Sequence, residues 1–272
     1  PEILRTNLSS FILTLKALGV DNILGFDLMD MPSVDALSHG LELLFALKAI
    51  DEQTKLTEEG LKMSAFPAEP PVAKMLLASL EEACSWEICG VAAALQSREL
   101  RPKPHGTQQK LEYEAVVVQS ADSSGDHVTY ANLISDFEDR GLDAEACKEK
   151  FINFQAMKRT LEVRNQLAKF LRRFGRVRSL GRADENSRSK TIRKCVTAGF
   201  FFNVAKLAND GRYYTMRKSI LVIPALSSVM SLDRATVAQY ILFGETVDGR
   251  RGGIELRHVS AIEAVWLREL AP

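Results

Sequence analysis

The sequence predicts an α+β chain, mainly α: a small helix-and-hairpin unit, a helical middle and a closed β-barrel. Three observations predict it. Apolar residues recur at helical spacing through the first 174 residues. Beyond residue 199 that pattern gives way to short runs of β-branched and aromatic residues separated by Gly, Asp or Pro. A length of 272 residues with 46% hydrophobic residues is enough for one large domain or two to three small ones.

Residues 8–18 place Leu8, Phe11, Ile12, Leu15 and Leu18 on one helical stripe. Pro32 ends the segment that follows, and Ser33 is placed to cap a second helix with apolar face Val34, Leu37, Leu41, Leu44 and Phe45. Residues 50–60 read as a short strand-turn-strand, and helices followed by a small hairpin suit a winged helix. The run 66–71 carries paired prolines and reads as a linker. Residues 72–80 and 85–95 read as amphipathic helices, and residues 98–109 as a loop. Asp126 is a candidate N-cap for residues 127–137, and Asp143 for a helix starting near Ala144. A long helix is expected over roughly 151–174. The polar run 183–190 reads as a mobile linker. Short strands in the last 75 or so residues cannot cover two faces of an open sheet, so a small OB-like barrel is the economical closure.

The net charge of zero hides an asymmetry. Residues 1–150 carry 13 Lys/Arg against 25 Asp/Glu, and residues 151–195 carry 13 against 3. Such a basic segment keeps a polyanion partner open despite the neutral total. The longest uncharged stretch, 219–232, contains Pro224 and is too short to span a membrane. The chain opens PEILRTNL without an initiator Met or a leader pattern, and so reads as a piece of a longer protein. The four cysteines form no CxxC pair, and the four histidines are scattered, so no zinc site is expected and free thiols are the default.

Several chemistries are excluded. No Gly-Lys pair exists, so no P-loop can cradle a nucleotide phosphate, and the chain alone should not hydrolyse ATP. Ser123-Ser124-Gly125 is not a nucleophile elbow. Asp126-His127 could be an acid–base pair, but a cap followed by a first-turn residue is the more economical reading. The basic stretch carries the most chemistry. Lys158, Arg159, Arg164, Lys169, Arg172, Arg173, Arg176, Arg178 and Arg182 fall within 25 residues, opposed only by Glu162. On a helix they form a cationic stripe, and the planar guanidinium fork suits phosphate. The plainer alternative is a solvated face paired with the acidic first half. Among Phe200, Phe201 and Phe202, period-2 alternation puts one or two in a barrel core; an exposed one could stack a base, but core is the more economical reading for each.

Six ordered blocks resemble the C-terminal region of DEAH-box ATP-dependent RNA helicases. They are PEILRTNLSSFILTLKALGVDNILGFDLMDMP, ALSHGLELLFALKAID with LTEEGLKMSAFPAEPPVAKMLL, GDHVTYANLISDF, FINFQAMKRTLEVRNQL, AGFFFNVAKL, and the ending HVSAIEAVWLRELAP. The resemblance implies a winged helix at 1–66, a helical ratchet (HA2-like) domain at 67–182 and an OB-fold at 190–272. It implies a module that binds single-stranded RNA and regulates an ATPase core. That core, two RecA-like domains with the ATP and Mg sites, is not in this chain, and no cofactor is expected here. Pre-mRNA splicing or RNP remodelling, a location in nucleus or nucleolus and also the cytoplasm, and a G-patch or spliceosomal protein partner are further expectations. A protein-interaction platform with little RNA affinity of its own is the alternative. The RNA-facing residues implied are Arg5, Thr6, Asn153, Lys158, Arg159, Arg164, Lys169, Arg172, Arg173, Phe202 and Asn203. Variants at Arg159 and Arg164 are expected to weaken RNA binding with little loss of fold. Gly125, Asp126 and His127 are expected to pack the ratchet against the barrel. Two departures limit the carry-over: the family's His-Pro-Ser-Ser reads Ile223-Pro224-Ala225-Leu226-Ser227-Ser228, and its Trp-Cys reads Ala146-Cys147.

Overall fold

The computed structural model describes residues 8–20, 22–23, 32–97, 100–102, 106–141, 143–181, 184–232, 237–249 and 253–270. Helices α1 (Ser9–Ala17), α2 (Val34–Ala46) and α3 (Glu58–Ser64) open the chain. Ser33 Oγ accepts the Ala36 N–H at 3.2 Å and Thr57 Oγ1 accepts the Gly60 N–H at 2.9 Å, capping α2 and α3. Leu8, Ile12, Leu15, Leu37 and Leu44 are buried together, while Leu18, Val34 and Phe45, expected on the same faces, are exposed. The expected strand-turn-strand contracts to a single bridge, Ile50 to Leu56, tightened by Asp51 Oδ1 accepting the Gln53 and Lys55 N–H groups.

The helical middle comprises α4 (Pro70–Glu81), α5 (Ser85–Gln96), α6 (Thr107–Gln119), α7 (Asp126–Arg140), α8 (Ala144–Glu149), α9 (Phe154–Leu171) and α10 (Glu185–Phe200). Three sequence expectations are corrected here. Pro70 and Pro71 are not a linker; they occupy the first turn of α4, where no N–H is needed. Helix α5 is not amphipathic: Ile88, Cys89, Gly90, Val91, Ala92 and Ala93 bury every side of it between neighbours. Residues 185–190 are not a linker but the first turns of α10, capped by Asp184 Oδ2 accepting the Ser187 N–H at 2.9 Å. Gly199 lets α10 lie against α4, because a Cβ there would sit 2.2 Å from Pro71 O.

The barrel consists of β1 (Val204–Leu207), β2 (Tyr213–Thr215), β3 (Leu221–Pro224), β4 (Tyr240–Asp248) and β5 (Ile254–Ile262), with short helices α11 (Val229–Leu232) and α12 (Ala264–Leu270). It closes in the order β1-β2-β3-β5-β4, with β3 and β5 parallel and the other neighbours antiparallel. Ala205, Val222, Ile241, Phe243, Leu256 and Val259 fill it. A larger apolar core runs continuously from Leu8 through α4, α5 and α10 to Trp266, so the three units share one interior. Among the described residues, no helix is long and apolar enough to cross a membrane.

Candidate nucleic-acid interface

Helix α9 organises the basic residues by its own amphipathicity. Met157, Thr160, Arg164, Leu167, Ala168 and Leu171 recur at three- and four-residue spacing and are buried. Lys158, Arg159, Glu162, Asn165, Gln166 and Lys169 fall on the opposite, exposed face, which Arg172 and Arg173 extend past the C-terminus. Among the described residues, Lys158, Arg159, Lys169, Arg172 and Arg173 make no ion pair; Arg173 lies 4.9 Å over the Phe170 ring. The structure thus brings five of the implied RNA-facing residues onto one surface. Arg176 and Arg178 continue it as exposed side chains. Asn153 sits at the other end as the N-cap, its Oδ1 accepting the Ala156 N–H at 3.0 Å.

Arg164 is different. Its side chain is 6% exposed and faces inward, against Glu138 and Trp86. Nη1–H and Nη2–H donate to Glu138 Oε2 and Oε1 at 2.9 and 3.2 Å, and the guanidinium lies 4.3 Å over the Trp86 ring. Trp86 Nε1–H donates to the same carboxylate at 2.9 Å. This bidentate, stacked geometry ties α5, α7 and α9 together. The expectation that Arg164 could be removed with little loss of fold is therefore corrected. Phe202 and Asn203 lie elsewhere, at the start of the barrel. Phe202 packs on Phe200 and Phe201, and Asn203 Nδ2–H donates to Gly244 O at 3.2 Å. Arg5 and Thr6 lie outside the described residues.

The Gly125-Asp126-His127 block joins the helical middle to the barrel. Gly125, at φ +128°, bridges to Ser260 on β5, and a Cβ there would lie 2.4 Å from Ser260 Cα. Asp126 is not the N-cap expected of it; it is the first residue of α7, and its carboxylate reaches out of the helix. Oδ1 accepts the Val229 N–H at 2.8 Å and Oδ2 the Val259 N–H at 2.7 Å. Burial raises its pKa to about 6, against the pull of those N–H donors. His127 is fully buried, with Nδ1 2.8 Å from Ser260 Oγ, and burial lowers its pKa to about 3, so the ring is neutral. Beside this joint lies a cavity of about 1000 Å³ between α5–α7 and the barrel, lined by Arg101, Tyr113, Tyr130, Arg257 and His258 among others. Tyr130 Oη is 3.0 Å from His258 Nδ1, and His258 sits at φ +54° within β5. No sequence signal marked the pairing of Tyr130 with His258 or of Glu138 with Arg164, since 128 and 26 residues separate the partners. Among the described residues, no group of three His, Cys, Asp or Glu is placed to hold a metal.

A capped three-helix unit, a helical middle and a five-stranded closed barrel, with Arg217 of the barrel paired to Glu42 of α2 at 3.3 Å, are the makeup of a helicase-associated module. Family models match accordingly: a winged-helix helicase-associated domain (HA2) at residues 40–68, its ratchet-like companion at 69–130, and an oligonucleotide/oligosaccharide-binding (OB) fold at 192–272. The chain is 35% identical over 273 residues to the protein named probable ATP-dependent RNA helicase DHX35 of Homo sapiens. It is 34% identical to that of Pongo abelii, and 35% identical over 274 residues to the homolog in Caenorhabditis elegans. Each match covers all of this chain and only 36–37% of the relative's length. The chain carries the helicase-associated winged-helix, ratchet-like and OB domains, and over its whole length it is similar to about a third of the length of these RNA helicases.

Proposed function

We propose that this module holds single-stranded RNA on the exposed face of α9 and, within a longer protein, regulates an ATP-driven helicase core that remodels RNA or takes part in splicing. The observation that carries this reading is the set of five exposed cations on one face, Lys158, Arg159, Lys169, Arg172 and Arg173, opposed there only by Glu162. Cations close together on one face cost electrostatic self-repulsion unless a polyanion neutralises them, and a single strand's phosphates would do so. ATP and Mg would be held by domains outside this chain, and the nucleus is the expected location.

Charge reversal at Lys158 and Lys169 together tests the reading. Affinity for a labelled single-stranded RNA should fall more than tenfold, with a shallower salt dependence and an unchanged unfolding temperature. Unchanged affinity in that variant would remove α9 from the site. A second reading, a platform for an activator such as a G-patch protein, is favoured by the exposed Leu18, Val34, Phe45 and Leu61 in the winged-helix unit. It predicts capture of that partner that survives RNase and is lost when Leu18 and Leu61 become Ser.

A further inference from the structure

We infer that Ser179 is a phosphorylation site, modified by a Ser/Thr kinase that selects arginine-bearing substrates, and that its phosphate unlatches the connector between α9 and α10. Residues 176–180 lie in neither helix nor strand and are largely exposed. Arg176 and Arg178 stand three and one residues before Ser179, and Arg172 and Arg173 precede them. All four are exposed and, among the described residues, unpaired with any carboxylate. An exposed irregular segment with cations just before a serine is what an acidic kinase cleft reads, since kinase–substrate choice rests on charge pattern. Ser219 also follows two cations, but Met216 stands three residues before it.

The serine is also structurally placed to report its own modification. Ser179 Oγ–H donates to Glu87 Oε1 at 2.7 Å, and the Leu180 N–H donates to the same oxygen at 3.1 Å. The Arg178 carbonyl accepts the Trp86 N–H at 2.9 Å. Glu87 is buried, and its Oε2 has no partner. The connector is therefore clasped to the first turn of α5 by one buried carboxylate. In the modification, Ser179 Oγ attacks the γ-phosphorus of ATP. The bond from that phosphorus to the β-bridging oxygen breaks, ADP leaves, and the hydroxyl proton passes to the kinase base. The product has lost the donor that satisfied Glu87 and carries about two negative charges against it. Like-charge repulsion expels the phosphate toward Arg176 and Arg178, taking the Leu180 N–H off Glu87. The same charge screens the cationic surface continuous with α9. That last consequence rests on the RNA reading above; the modification and the unlatching do not.

The test treats the 272-residue chain with ATP, Mg and a purified kinase that requires arginine three residues before its acceptor. A peptide of residues 172–181 and the Ser179→Ala chain run alongside. Phosphate mapped to Ser179 in chain and peptide, absent from Ser179→Ala, supports the site; a chain left unmodified, with or without modification of the peptide, overturns it. Hydrogen exchange at Leu180 should accelerate at least tenfold on phosphorylation, and unchanged protection overturns the latch. Single-stranded RNA should bind the phosphorylated chain roughly tenfold more weakly, with the salt slope reduced by about 1.4, as for the loss of about two phosphate contacts on a single strand. An unmodified chain that binds no RNA would overturn the RNA reading while leaving the first two results standing.

Discussion

Replacing Arg164 by Ala separates structural cations from RNA-facing ones. Its guanidinium makes two charge-assisted hydrogen bonds to Glu138 and covers the Trp86 ring at 4.3 Å. Hydrogen bonds to charged groups contribute about 1.5–3 kcal/mol each, and a desolvated cation–π contact about 1–2 kcal/mol. Glu138 keeps 37% of its side-chain surface in water, so screening removes much of the ion-pair contribution. The stem of Arg164 also packs beside Gly90, whose hypothetical Cβ would be 3.7 Å from its Cδ. The net loss on truncation is about 2–4 kcal/mol, which for a chain of this size lowers the unfolding temperature by roughly 5–10 °C. Thermal unfolding followed by circular dichroism measures it. Affinity for RNA, measured well below the transition, should change less than twofold, whereas Lys158→Ala should show the converse. Unfolding within about 1 °C of the parent, together with weakened RNA binding, would refute the assignment of Arg164 to the interior.

Gly125→Ala should cost more than about 3 kcal/mol in denaturant unfolding, because strain at φ +128° adds to a Cβ 2.4 Å from Ser260 Cα. Gly141→Ala, at φ +81° but facing open space, is the control and should cost about 1 kcal/mol. Asp126 carries a signed pH dependence. Its folded pKa, about 6, lies above the ordinary carboxylate value of 3.8, so the folded chain holds the proton more tightly. Its contribution to stability is therefore greatest below about pH 4, falls as pH rises toward about 6, and is flat above. The unfolding temperature of the parent minus that of Asp126→Asn should decline over that window, and a difference that rises instead would contradict the burial of this carboxylate. His127 acts with the opposite sign: its neutral ring stabilises fully above about pH 6.5, and that contribution is lost as pH falls toward 3.

The helical stripes, the caps at Ser33 and Asp143 and the barrel strands were legible because each rests on local periodicity or a single side chain. Residues 185–190 and Pro70-Pro71 look like linkers by composition, but Asp184 caps the first and the two prolines sit in the first turn of α4, where no N–H is needed, while α10 packs on α4 further along at Gly199. Helix α6 is not marked by its sequence because only Tyr113 and Val117 of its apolar residues are buried, and the exposed Leu111 and Val118 blur the stripe. At the site, charge density was readable but direction was not. Arg164 falls in the same cationic run as Arg159, and only the helical phase set by Met157, Leu167 and Leu171 turns it inward.

The central claim is that the cations of α9 grip RNA without help from another domain. Fluorescence anisotropy of a labelled single-stranded RNA, titrated with this chain across salt, tests it most directly. Binding at micromolar concentration or tighter, with a log–log salt slope of about −3 to −4 for five contacts on a single strand, is the result the account predicts. No binding at low salt, or binding indifferent to salt, would contradict it.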